Sequence, residues 1–274
     1  MNLSEGRDRS VLACLAEAAG PSLLDVHSDP DHHRSVLTLG GPAAQVQAGA
    51  RSLARLAVSL LDLNGHRGVH PRIGVVDVVP WVALAGPPFQ DAPPPGGPVE
   101  ARRARDRFGA WAGEELGLPV FLYGPERSLP EVRKGAWRSL VPDFGPASPH
   151  PSAGAVAVGY RPLLVAYNLW LRGGDVTQAK AVAAQVRCQH LRALGLQVGD
   201  HVQVSCNLLA PALLGPAEAW DKVAALAEIE RAELVGLIPA HILEATPRAR
   251  WHQLDLSPER TIEARTAEVA SPSW

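Results

Sequence analysis

The stretch Asn64–Trp81, N-G-H-R-G-V-H-P-R-I-G-V-V-D-V-V-P-W, carries a helix stop, a polar loop and a β-branched run in that order. Gly65, Gly68 and Pro71 break any helix through the loop, so His66 and His70 are not an i, i+4 pair on one helical face. Ile73–Val79 reads as a buried strand with Asp77 embedded in it. A carboxylate there needs a partner, and Arg72 or a backbone donor is a candidate. Histidine titrates near neutrality and arginine clamps carboxylates, so His66, Arg67, His70 and Arg72 suit proton transfer on an anionic substrate. A solvated turn with incidental charges fits the same residues.

Working back, Ala43–Leu63 is the clearest helix: Val46, Ala50, Leu53, Ala57 and Leu60 recur every three or four residues, and Asn64-Gly65 ends it. Before Gly40-Gly41-Pro42, two short strands, Ser22–Val26 and Ser35–Leu39, flank a polar loop, His27–Arg34. Its histidines and aspartates are metal-ligand types, but an Asp-Pro turn with clustered charge is commoner as an exposed hairpin loop. An amphipathic helix through Val11, Leu12, Leu15 and Ala19, with Ser4 or Asp8 as N-cap, stops at Gly20-Pro21.

Working forward, Pro87–Pro98 is a low-complexity surface excursion, Glu100–Leu116 an amphipathic helix and Val120–Tyr123 a strand. Gly124–Ser152 reads as a long irregular tract, and loops of that length are usually functional or disordered. The Gly, Ser and Pro of its second half suit a wall of backbone amides around a ligand. Ala153–Val158 and Leu163–Leu169 are strand-like, with a subdomain boundary between them, dividing the chain into 1–162 and 163–274. Beyond lie a helix at Val176–Leu194, a strand at His201–Leu209, a helix at Pro216–Arg231, a strand at Ala232–Ile238 and a short helix at Ala240–Ala245. The end, from about Glu268, is expected to fray. Alternation of strands and helices in both halves predicts α/β (α+β) architecture in two tandem sheet-and-helix subdomains.

A chain of 274 residues accommodates two such cores, and Lys+Arg 26 against Asp+Glu 28 gives no cationic excess to favour nucleic acid or an anionic membrane. Cys14, Cys188 and Cys206 are too few and too scattered for a disulfide framework or a zinc cluster, which points to a reducing cytoplasm. The N-terminal residues lack the apolar core of a signal peptide, and Ile73–Phe89, the longest nearly uncharged run, is broken by Asp77 and prolines.

Seven stretches, in order along the chain, resemble the formiminotransferase domain of glutamate formimidoyltransferase, the folate enzyme of histidine breakdown. They are N-L-S-E-G-R at 2–7, L-L-D-V-H-S-D-P-D-H-H-R-S-V-L-T-L at 23–39, H-R-G-V-H-P-R-I-G-V-V-D-V-V-P at 66–80, E-E-L-G-L-P-V-F-L-Y-G at 114–124, P-D-F-G-P at 142–146, L-L-V-A-Y-N at 163–168 and E-L-V-G-L-I-P at 233–239. The resemblance implies two α/β subdomains with folate in the crevice between them, commonly in a homodimer, with tetrahydrofolate as co-substrate and no metal. It places His70, in the H-P-R triplet, at the catalytic histidine and His27 where relatives carry Asp or Glu. Its folate-contacting loop corresponds to the tract that includes Gly145, Pro146, Ser148, His150, Ser152 and Gly154. Relatives also carry a strand ahead of the first motif, which is either missing here or encoded upstream of Met1, and a basic insert before the strand at His201, which this sequence is expected to lack.

The implied reaction moves a formimino group from N-formimino-L-glutamate to N5 of tetrahydrofolate. One histidine can take the proton N5 loses and deliver it to the departing nitrogen, worth roughly 10²–10⁴-fold in rate. Both substrates carry carboxylates, for which Arg34, Arg67, Arg72, Arg133 and Lys134 are candidate clamps, while His66 supports His70 or contacts substrate. Two further readings stand beside this one: a folate- or pterin-binding homologue without transferase activity, and a metal hydrolase using His27, His32, His33, His66 and His70.

Overall fold

The computed structural model describes residues 1–85 and 96–270. These fall into two compact units, the first of residues 1–83 and 96–161 and the second of residues 84–85 and 162–270. The first contains β1 (Asn2–Leu3), α1 (Arg9–Ala19), β2 (Leu23–Asp29), β3 (Arg34–Leu39), α2 (Ala43–Leu60), β4 (Val76–Trp81), α3 (Gly97–Glu115), β5 (Val120–Tyr123), α4 (Leu129–Gly135) and β6 (Val156–Tyr160). The second contains β7 (Val165–Leu171), α5 (Val176–Val186), β8 (Leu191–Val198), β9 (His201–Leu208), α6 (Pro216–Ala224), β10 (Ile229–Val235), α7 (Ala240–Ala245) and α8 (Ile262–Ala270).

The first unit is built on a six-stranded sheet in the order β2-β3-β1-β4-β6-β5, antiparallel as far as β4 and parallel from β4 to β5. Leu3, Leu37, Val76, Val79, Val156 and Val158 pack with Leu15 of α1, Leu53 and Ala57 of α2 and Phe108 of α3 into its main core. A smaller cluster joins Val78, Phe121, Tyr123 and Ala157 to Val132 of α4. Between these two cores β4 is irregular: Leu3 pairs with Val76 but Asn2 pairs with Val78, so Asp77 is the extra residue of a β-bulge. Bulges re-aim side chains, and this one directs a carboxylate that regular alternation would have placed otherwise. The two-residue β1 nonetheless sits in mid-sheet, between β3 and β4.

The second unit is a four-stranded antiparallel sheet, β10-β7-β9-β8, whose Val165, Tyr167, Leu169, Val204 and Cys206 pack on Ala179, Val182 and Ala183 of α5 and Ala219 and Val223 of α6. Here the helix expected over 176–194 gives way at Arg187, and Leu191–Val198 is a strand. Its buried and exposed residues alternate, and a Cβ on Gly195 would meet the Lys180 backbone nitrogen at 2.2 Å, so α5 lies directly on the strand. Likewise the helix expected to Arg231 stops at Ala224, and β10 begins at Ile229.

In the first unit, the tract expected to be irregular holds α4, which starts with a capping box: Ser128 accepts from the Glu131 backbone, and Glu131 accepts from the Ser128 backbone. The polar loop read as His27–Arg34 is shorter, since β2 continues through His27 to Asp29 and β3 starts at Arg34. Most of the Pro87–Pro98 segment lies outside the described residues, as do 271–274, while α8 is helical to Ala270. Among the described residues no helix is long and apolar enough to cross a membrane.

Candidate functional site

The β2–β3 turn and the loop His66–Arg72 are folded against each other. Asp29 Oδ1 accepts the backbone N–H groups of Asp31 at 2.8 Å and His32 at 2.6 Å, which closes the turn, and His33 takes a left-handed φ of 46°. Gly68 approaches so closely that a Cβ there would meet the His32 carbonyl oxygen at 2.3 Å. Arg72 fastens the two segments. Its Nη1 donates to the His33 carbonyl at 3.0 Å and to His66 Nε2 at 2.9 Å, and its Nη2 donates to the carbonyls of His32 at 2.8 Å and His70 at 2.9 Å. Burial and the neighbouring Arg34 pull its pKa down to about 10, so it stays charged at neutral pH.

Beneath the loop, Asp77 is fully buried between two arginines. Its Oδ2 lies 2.6 Å from Arg34 Nη1 and 2.6 Å from Arg133 Nη2, and its Oδ1 accepts the Ile73 N–H at 2.8 Å. Arg34, 8% exposed, also donates to Asn2 Oδ1 at 2.9 Å. Burial alone would raise the Asp77 pKa, but Arg34 and Arg133 outweigh it and hold the carboxyl at about 2. Asp77 therefore has a backbone partner, as expected, but its guanidinium partners are Arg34 and Arg133 rather than Arg72. Two guanidiniums on one carboxylate leave a positive charge uncompensated, which suits a site for polycarboxylate ligands.

His70 lies within this field. Its Nδ1 is 2.7 Å from the Pro71 carbonyl oxygen, which can only accept, so Nδ1 carries the hydrogen and Nε2 presents a lone pair. Burial, with Arg34 and Arg133 nearby, lowers its pKa to about 3, so the ring is neutral at pH 7. The four imidazoles of the two segments form two pairs: His32 and His70 are tilted with ring centres 6.0 Å apart, and His33 and His66 are stacked at 4.0 Å. His33 Nδ1 accepts the Gly6 N–H at 3.2 Å. His66 Nε2 lies 3.1 Å from the Ser4 carbonyl and 2.9 Å from Arg72, and burial and Arg72 lower its pKa to about 4. The 2–7 motif thus serves as a bracket for the histidine loop. The sequence offers His32 and His33 either as hairpin-loop residues or, with His27, His66 and His70, as metal ligands; what brings them to His66 and His70 is Arg72, bonded to both their carbonyls, and no local pattern announces it.

The tract thought to contact folate divides in two. Gly145 follows Phe144, whose carbonyl accepts the Val120 N–H at 2.9 Å, and a Cβ on Gly145 would meet the Leu118 carbonyl at 2.2 Å. Pro146 and Ser148 are exposed. His150 and Gly154 then form a paired bridge, with His150 Nδ1 accepting from Ser152 at 3.3 Å and Ala153 at 3.0 Å. Gly154 also bridges Gly74, and Ser152 O accepts the Leu63 N–H at 2.7 Å, so this end abuts the histidine loop. Arg67 and Lys134 are exposed and, among the described residues, make no hydrogen bond or ion pair. His27 is half-buried in β2 opposite Val36. Among the described residues no group of three or more His, Cys, Asp or Glu is arranged to hold a metal ion.

Comparison with known proteins gives this arrangement a context. A family model described as the formiminotransferase domain, N-terminal subdomain, matches residues 1–161. The glutamate formimidoyltransferase of Streptococcus pyogenes serotype M1 is 34% identical over 235 residues, covering 76% of this chain and 75% of the relative. That of Thermoplasma acidophilum is 32% identical over 282 residues, covering 88% of each. The formimidoyltransferase-cyclodeaminase of Sus scrofa is 32% identical over 279 residues, 88% of this chain but 50% of the relative, so the chain spans about half that protein's length. The chain belongs to the formiminotransferase-domain family.

Proposed function

We propose that this protein transfers the formimino group of N-formimino-L-glutamate to N5 of tetrahydrofolate, with His70 carrying the proton. N5 attacks the amidine carbon and forms the new C–N bond, and its proton passes to His70 Nε2. The tetrahedral intermediate then expels the glutamate nitrogen, which receives that proton as the old C–N bond breaks. No proton is gained or lost overall. The single observation that carries this reading is the tautomer of His70, with Nδ1–H on the Pro71 carbonyl and the Nε2 lone pair left as a base.

The surroundings fit the two ligands. The exposed Arg67 and Lys134 and the excess charge at Arg34, Asp77 and Arg133 favour carboxylates, and the exposed Pro146 to Ser148 backbone offers a wall for the flat folate ring. A pKa of about 3 makes His70 a weak base in the free protein. Substrate carboxylates entering the cationic field shift it upward, towards the range a proton carrier needs. The same low pKa is what favours the second reading, a folate- or pterin-binding protein without turnover. Purified protein incubated with both substrates decides: 5-formiminotetrahydrofolate formation is expected, whereas tight folate binding without product would leave only the binding role. The homodimer and cytoplasmic setting belong to the same proposal; three free cysteines are compatible with the second, and sedimentation tests the first.

A further inference from the structure

His32 is an unusual neighbour for a proton carrier. It is 7% exposed, its backbone N–H and carbonyl are held by Asp29 and Arg72, and its ring centre is 6.0 Å from that of His70. Its Nε2 is buried and has no hydrogen-bond partner among the described residues. A buried imidazole nitrogen left unpaired costs about 1–3 kcal/mol, so its retention calls for a partner acquired in the working state.

The neighbouring groups narrow what that partner is. His33 Nδ1 already accepts from Gly6 and His66 Nε2 from Arg72; His66 Nδ1 is also buried without a partner among the described residues, but its ring is stacked on His33, whereas the ring paired with His32 is His70. Asp77, the carboxylate that would ordinarily orient a catalytic imidazole, is occupied by Arg34, Arg133 and the Ile73 N–H. His70 itself has only the carbonyl of the next residue for its Nδ1 hydrogen. That is a weak anchor: a neutral carbonyl gives little support to the ring once it becomes imidazolium, and orienting hydrogen bonds of catalytic bases often tighten only with substrate bound.

We propose that His32 is the positioning residue for His70: with substrates bound, His70 Nδ1–H moves from the Pro71 carbonyl to His32 Nε2. The hydrogen bond fixes the direction of the His70 Nε2 lone pair and shares the charge when Nε2 takes the proton. Arg34, Arg133 and Asp77 are the charged groups acting on His70 in the structure. A second imidazole is better suited than a carboxylate here, because it supports the imidazolium without competing for the arginines that hold Asp77. This inference rests on the transferase reading, and its test separates the two.

The test compares wild type with His32→Phe, which keeps the ring volume without the nitrogen, and His32→Gln, whose amide oxygen accepts. His32→Phe is expected to lose roughly tenfold to a hundredfold in kcat, the value of one hydrogen bond to a charged group, with KM for both substrates within about twofold. His32→Gln is expected to recover most of that loss. Unchanged kcat in His32→Phe, a loss confined to KM, or equal loss in both variants would overturn the proposal. Ring ¹⁵N spectra of wild type with tetrahydrofolate and glutamate bound give a readout that needs no variant to fold: a His70 Nδ1–H to His32 Nε2 coupling is expected, and its absence counts against the proposal. If wild type shows no turnover, the transferase reading fails by itself and the spectra still decide on the hydrogen bond.

Discussion

The loop His66–Arg72 and the tract Gly145–Gly154 are both rich in Gly and polar residues, and both border Gly74, yet they are held in opposite ways. The first is tied inward by side chains: Arg72 donates to three backbone carbonyls and a histidine, and His66 sits against Ser4. The second is tied at its ends by backbone, at Phe144 to Val120 and at Gly154 to Gly74, with Pro146 and Ser148 exposed between. A fixed segment suits proton transfer, where small misplacements are costly, and an exposed backbone wall suits a large flat ligand.

The difference can be attacked from its base upward. Asp77→Ala leaves two guanidiniums without their buried carboxylate and should destabilise the first unit by about 3–5 kcal/mol in urea unfolding. A loss under about 1 kcal/mol would mean that Arg34 and Arg133 do not depend on Asp77. Arg72→Met keeps most of the aliphatic stem but removes the donors, and should cost about 2–3 kcal/mol and raise amide exchange across residues 31–34 and 66–72. The matching change on the open side, Ser148→Ala, should stay within about 0.5 kcal/mol. Equal effects at the two positions would erase the contrast.

Acid should find the fixed loop first. His70 and His66 titrate at about 3 and about 4 in the folded protein, against about 6.5 when unfolded. Between those values the unfolded chain binds more protons, so stability is flat above about pH 6.5 and falls as pH drops below it. The contribution of Asp77 is present above about pH 3.9 and is lost towards its folded value of about 2. Unfolding free energies measured from pH 7.5 to 4.5 should fall more gently in His70→Gln than in wild type. Parallel curves would contradict the lowered pKa of His70.

Much of this was legible in the chain. Periodicity located α1, α2, α3 and β5, and the break at Gly65 with the strand beyond Ile73 placed His66 and His70 in a loop rather than on a helix. Other features depend on partners remote in sequence. Asp77 meets Arg34 across 43 residues and Arg133 across 56, and the bulge that aims it exists only because β1 pairs out of step. The strand β8 was hidden by helix-forming residues, its alternation becoming meaningful once α5 packs on Gly195. The helix α4, by contrast, had a readable start in Ser128 and Glu131, and recognising that capping box would have placed Arg133 on a rigid element.

The central claim is that His70 carries the proton in formimino transfer. It is tested most directly by single-turnover transfer to tetrahydrofolate in His70→Ala, with folate binding measured on the same sample. The account predicts a rate lowered by roughly 10²–10⁴-fold with binding within about threefold of wild type. Transfer at the wild-type rate in a variant that still binds folate would contradict it.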